Sequence, residues 1–203
     1  MTRQAVPFLI QDVRKVKALA SPVRAAIIDV LEVLGPATIA QVGESLGYPA
    51  DGLYYHFTLL QRNELIVRGE PEEGTGAARF QLPGHPATLR YRLGDRQQET
   101  ATGKVVATML RSAERGFRRA FAPRLATVEG PRRNLRAGRR TAWLTGPELQ
   151  ALNQHLERIH ALFGKGVPRR KGARLHEFTY VLAPVVEKTR RGTPNPRQRG
   201  ARS

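Results

Sequence analysis

The sequence predicts a mainly α fold of the α+β class, and three observations point to it. Three short amphipathic segments follow one another within residues 19–68, a β-branched run closes them, and a long amphipathic stretch opens the second half. With 203 residues and 40% hydrophobic content the chain can build one or two small domains with adequate cores.

The first segment, Ser21 to Leu34, places Val23, Ile27, Val30, Leu31 and Leu34 on one helical face. Ser21-Pro22 supplies an N-cap with proline at the first helical position, and Gly35-Pro36 ends the helix. In the second segment, Thr38 to Leu46, the stripe is Ile39, Val42 and Leu46; Thr38 with Gln41 fits a capping box, and Gly47 breaks the chain. The third, Pro49 to Arg62, turns Leu53, Phe57 and Leu60 inward and leaves Ala50, Asp51, Gly52, Tyr54, Tyr55, Thr58 and Arg62 outward. None of these helices is long enough to be stable alone, so their stripes must bury one another. Asn63-Glu64 then stops the third helix before the run Leu65-Ile66-Val67. This is the pattern of a helix-turn-helix whose last helix projects from a trihelical core and runs into a wing.

The residues that carry a resemblance are Leu19-Ala20-Ser21-Pro22-Val23-Arg24, Ile39 to Leu46, Leu53-Tyr54-Tyr55-His56-Phe57-Thr58-Leu59-Leu60 and Leu65-Ile66-Val67-Arg68. Through them roughly the first half of the chain resembles the ArsR-type winged helix-turn-helix transcriptional regulators. The resemblance implies that Pro49 to Arg62 is a recognition helix followed by a β-hairpin wing. That wing is expected to pair Ile66–Glu70 with Thr88–Leu93, because Leu89, Tyr91 and Leu93 alternate with Arg90 and Arg92, leaving Pro71 to Ala87 as an excursion. Base readout would fall to Asp51, Tyr54, Tyr55, Thr58 and Arg62. An aspartate accepts from cytosine, tyrosines touch base edges or thymine methyls, and Arg62 near the helix end suits phosphate. At least one of Tyr54 and Tyr55 is expected to cap the core instead. His56 matches a family position, with a packing or phosphate-contact role, and Arg79, Arg90 and Arg92 are candidate wing contacts. Winged helices also serve as protein-contact and RNA-binding modules, so the fold alone leaves function open.

Metal-sensing members of that family use cysteines or His/Asp/Glu clusters. This chain has no cysteine, and His56, His85, His155, His160 and His176 never fall three or four apart. No metal and no cofactor are expected.

In the second half a helix is expected over 97–121, with Val106, Met109, Leu110, Ala113, Phe117, Ala120 and Phe121 as its stripe. In the resembling family such a helix commonly builds the dimer interface, so Val106, Met109, Leu110, Ala113, Phe117 and Phe121 are candidate interface residues; packing on the chain's own core is the alternative, and both can hold. Residues 131–140 read as a basic linker. Thr145 to Glu148 starts a helix through Phe163 with Leu149, Leu152, Leu156, Ile159 and Phe163 as its stripe, Gly164 to Gly172 breaks it, and a strand is expected over Leu175 to Ala183. This small helix-strand unit should dock on the long helix, on Trp143 or on a second subunit. The domains expected are thus 1–95 for DNA binding, 96–186 for dimerisation, and a basic tail, 187–203, too poor in apolar residues to fold. A small-molecule effector between the long helix and residues 149–183 has only general apolar lining to support it.

The formal charge is +17, and its location matters more than its size. Residues 1–95 hold ten Lys/Arg and ten Asp/Glu, whereas residues 96–203 hold twenty-four and seven. The excess therefore lies outside the helix-turn-helix, in residues 111–140, in Arg169-Arg170-Lys171 with Arg174, and in the tail. Such blocks neutralise phosphates and strengthen binding without reading sequence; the competing reading is a compositional bias toward arginine.

Catalysis needs a nucleophile with a base, paired carboxylates or a metal cluster, and none is spaced for it. No catalytic residue is expected. The resulting expectation is a homodimeric, sequence-specific DNA-binding transcriptional regulator on a pseudo-palindromic operator, its half-sites about one helical turn apart. A general nucleic-acid or nucleoid binder and a winged-helix protein-interaction module are the alternatives. With no apolar run long enough for a membrane span and no secretory signal, the expected location is the cytoplasm, in association with the nucleoid.

Overall fold

In the computed structural model, which describes residues 7–121, 125–163 and 174–185, the three expected helices are the centre of a mainly α fold with a small sheet. The described elements run β1 (Phe8–Ile10), α1 (Val13–Leu19), α2 (Pro22–Leu34), β2 (Ala37–Thr38), α3 (Ile39–Leu46), α4 (Tyr54–Arg62), β3 (Val67–Arg68), β4 (Arg79–Gln81), β5 (Ala87–Leu89), α5 (Arg96–Ala120) and α6 (Gly146–Phe163), with a single 3-10 turn at Ala50–Gly52 before α4.

The punctuation of the helix-turn-helix follows local chemistry. Thr38 Oγ1 accepts from the Gln41 N–H at 3.2 Å and the Thr38 N–H donates to Gln41 Oε1 at 2.9 Å, a complete capping box. Gly47 takes the left-handed conformation, φ 70°, that ends α3. Ile27, Leu31, Val42, Leu53, Phe57 and Leu60 are buried together with Leu65 and Ile66. Leu34 departs from the expected stripe and is exposed; Ile28 is buried instead.

A closer constraint sits inside α3. A Cβ on Gly43 would lie 2.7 Å from the carbonyl oxygen of Tyr48, whose N–H donates back to the Gly43 carbonyl at 2.9 Å. The turn folds directly over the helix, so only glycine fits there.

The wing differs from expectation. β3 pairs antiparallel with β4, and β4 also pairs with β2, giving the order β2-β4-β3. The Thr88–Leu93 region was expected in this place. Phe80 decides the matter: it is buried and meets Phe57 edge to face, with ring centroids 5.0 Å apart. The alternation of residues 89–93 does not mark burial, since Tyr91 is exposed and Leu93 is 97% exposed. Ala87–Leu89 instead forms β5, parallel to β1. β1 and α1 lie upstream of the expected motif; Ile10, Val16, Ala18 and Leu19 add to its core.

Helix α5 starts at Asp95, whose side chain accepts from the N–H groups of Gln97 and Gln98. Its buried face is Gln98, Ala101, Val105 and Thr108, and Thr108 Oγ1 donates to the Ala20 carbonyl at 3.2 Å. Gln98, 1% exposed, donates through Nε2 to the carbonyls of Gln11 (2.9 Å) and Arg90 (3.2 Å) and accepts at Oε1 from the Arg92 N–H (2.7 Å). The face used for packing is therefore rotated from the expected stripe.

Residues 174–185 contain no strand. The alternating aromatics that suggested one are spent on α6: Phe178 lies 6.0 Å from the Phe163 ring, and Tyr180 Oη pairs with His160 Nε2 at 2.9 Å. Trp143 is 89% exposed and anchors nothing. The expected helix break at 164–172, the cations Arg169, Arg170 and Lys171, and the tail 187–203 lie outside the described residues.

Replacing Gly43 with alanine is expected to cost about 1–3 kcal/mol through backbone overpacking. Gly103→Ala, in an open position of α5, should gain up to about 1 kcal/mol from helix propensity. Urea unfolding of the two variants against the parent checks both signs.

Candidate nucleic-acid interface

Because Leu53, Phe57 and Leu60 point into the core, the other side of α4 and its leading turn is fixed as a surface. Asp51, Tyr54, Tyr55, Thr58 and Arg62 are spaced three and four apart and all exposed. Tyr54 is 58% and Tyr55 67% exposed, so neither caps the core, contrary to expectation. Core volume is already filled by Phe57 and Phe80. Thr58 Oγ1 donates to the Tyr54 carbonyl at 3.0 Å, which fixes its rotamer and presents the methyl. One acid and one base on this face balance each other, so it suits base edges and stacking better than phosphate.

His56 is half-buried beside Arg24, and its Nδ1 has no hydrogen-bond partner among the described residues. Burial first, and the Arg24 charge second, hold its pKa below the usual 6.5. A neutral imidazole neutralises no phosphate, which favours packing over a phosphate contact. Arg24 itself donates from Nε to the Ala18 carbonyl at 2.5 Å.

The expected wing cations separate. The Arg79 guanidinium donates to the Pro36 carbonyl, through Nε at 3.1 Å and also through Nη2, so it braces the sheet rather than projecting. Arg90 and Arg92 are exposed on the segment between β5 and α5, where the Arg90 N–H donates to the Ile10 carbonyl at 2.9 Å; they are not in the wing. Between Arg68 and Arg79 the wing carries Glu70, Glu72 and Glu73 and no cation. Glu72 accepts from Gln41 Nε2 at 2.6 Å and from Thr75 Oγ1 at 2.8 Å. Arg68, exposed on β3, is the wing's other cation; in sequence it directly follows the β-branched run, whose pattern signals packing rather than contact.

On α5 the candidate interface residues stay uncovered to different degrees: Val106, Met109, Ala113 and Phe117 are half-buried, and Leu110 and Phe121 exposed. In α6 no residue is fully buried. An open groove of about 490 Å³ lies between α1 and α5, lined by Lys17, Arg96, Gln97, Thr100 and Lys104 among others; none of residues 149–183 borders it, so it is not the effector space expected from sequence. No helix among the described residues is long and apolar enough to cross a membrane.

Residues 19–69 match the family model described as a helix-turn-helix domain. Among solved structures, a MarR family transcription regulator is similar at 16% identity and a TM-score of 0.31, over 74% of this chain and 78% of that one. The multiple antibiotic-resistance repressor (MarR) from Listeria monocytogenes 4b F2365 is similar at 13% identity and a TM-score of 0.27, over 75% and 84%. No curated protein matches.

A histidine held below its free pKa binds its proton less readily in the folded state. His56 therefore contributes a loss of stability as pH drops through 6.5 toward that lowered value, whereas Asp29, whose carboxyl burial raises to about 7, contributes a gain as pH falls through that value. His56→Gln should remove the first contribution, so that in urea melts between about pH 5 and pH 8 the variant gains on the parent as pH falls; a difference between the two that does not change with pH would show that His56 contributes none.

Proposed function

We propose, on the premise that residues 19–69 are a helix-turn-helix domain, that the protein is a sequence-specific DNA-binding transcriptional regulator acting as a homodimer on a pseudo-palindromic operator. The observation that carries this reading is the uncovered face Asp51-Tyr54-Tyr55-Thr58-Arg62, left outward while Leu53, Phe57 and Leu60 are buried. A helix presented in this way enters a major groove, where an aspartate, a threonine methyl and an arginine discriminate bases.

Dimerisation is supported by the only partly covered stripe from Val106 to Phe121, in which Leu110 and Phe121 are exposed, beside a differently oriented buried face. Residues 1–95 would form the DNA-reading unit and 96–186 the dimerising one, with DNA as partner in the cytoplasm. A second reading, a general nucleic-acid binder, draws on the seventeen net charges of residues 96–203.

Selection of bound duplexes from a random pool with the full-length protein is expected to return a pseudo-palindrome with half-sites about one helical turn apart. Tyr55→Ala and Arg62→Ala should each weaken the selected duplex by about 1–3 kcal/mol. Unchanged affinity in both at several salt concentrations would remove α4 as the reading helix, and a pool without any motif would favour the second reading.

Leu110→Glu combined with Phe121→Glu alters exposed positions and should leave the monomer fold intact. Sedimentation should then change from dimer to monomer; a parent that sediments as a monomer at micromolar concentration refutes the dimer.

A further inference from the structure

Residues 125–145 have no helix or strand and almost no buried surface, yet part of this segment is ordered by a specific clasp. Asn134 Oδ1 accepts from the Thr127 N–H at 2.6 Å, the Asn134 N–H donates to the Thr127 carbonyl at 2.8 Å, and Nδ2 donates to the Leu125 carbonyl at 3.0 Å. Gly130, at φ 73°, turns the chain, and the Arg133 N–H donates to its carbonyl at 3.3 Å. The closed loop carries Arg132 and Arg133 at its turn. Arg136, Arg139 and Arg140 follow in irregular chain, all exposed.

Five arginines against the single carboxylate of Glu129 make this the most concentrated charge among the described residues outside α5. None of the five makes an ion pair among the described residues. A run of cations without hydrophobic anchoring or carboxylate partners, pre-shaped by backbone hydrogen bonds, has the chemistry of an anion-binding arm. Its form excludes a major-groove helix. Irregular chain with small residues, Ala137 and Gly138, between arginines fits a narrow groove, and the minor groove's negative potential attracts arginine above other cations. The wing that would otherwise serve there carries Glu70, Glu72 and Glu73, whose charges oppose phosphate.

We propose that residues 130–140 are a second DNA-binding element, an arginine arm that lies in the minor groove flanking the site read by α4. This rests on the DNA-binding reading above. The Asn134 clasp lowers the ordering cost of the arm by holding Arg132 and Arg133 in place before DNA arrives.

The test uses the full chain and the duplex it selects. A variant with Arg132, Arg133, Arg136, Arg139 and Arg140 all changed to glutamine should fold as the parent does, because every altered side chain is exposed. It is expected to bind at least about tenfold more weakly, to show a salt slope smaller by up to about nine for a dimer that carries two arms, and to keep the same preferred sequence. Netropsin, which occupies the minor groove, should weaken the parent toward the variant's affinity and leave the variant unchanged. Asn134→Ala, at constant charge, should lose affinity severalfold. An unchanged salt slope in the glutamine variant overturns the arm, and insensitivity of the parent to netropsin overturns its placement in the minor groove. Full affinity in Asn134→Ala overturns the role of the clasp. These failures are distinct from failure of the DNA-binding reading, in which the parent selects no duplex and both fall together.

Discussion

The carbonyls of Gln11 and Arg90 and the N–H of Arg92 all converge on one side chain, that of Gln98 on the first turn of α5. A buried amide costs free energy unless its groups are paired, and here both ends of the Gln98 amide are paired with backbone groups at the same time. The consequence is geometric. The segment before α1, the chain after β5 and the long helix are fixed to one another, with Ala101, Val105 and Thr108 completing the seam.

A second constraint lies at α4. The core takes Leu53, Phe57 and Leu60, and the Gly43–Tyr48 contact sets how sharply the chain turns before α4. What remains outside is nearly neutral, and the wing beside it is acidic. Under the proposed function, discrimination and electrostatic grip would fall to different parts of the molecule: bases to α4, phosphates to arginines that the second half carries. Such a division lets the two properties vary separately, since phosphate contacts add affinity without adding sequence information.

The three helices of the helix-turn-helix were legible because each carries its own signals, down to the reciprocal bonds of Thr38 and Gln41. The outward set on α4 was legible for the same reason, since helical period alone separates Tyr54, Thr58 and Arg62 from Leu53, Phe57 and Leu60. The wing was not. Its second strand is three residues long with one apolar side chain, Phe80, and its identity depends on a ring contact with Phe57, 23 positions earlier in the chain. Arg79 went astray with it: nothing near it in sequence announces that its guanidinium reaches the Pro36 carbonyl.

By itself the sequence determined the helices of the helix-turn-helix and the two long helices after it, near where they start and stop, and which residues of α4 face outward, because caps, glycines and hydrophobic period act over a few residues. Only the tertiary structure decided the strand that completes the wing, the face by which α5 packs, the burial of His56 and the clasp that shapes the arginine loop. All but the clasp, whose bonds are local, depend on contacts between residues far apart in the chain, where a single ring or one amide outweighs any local preference.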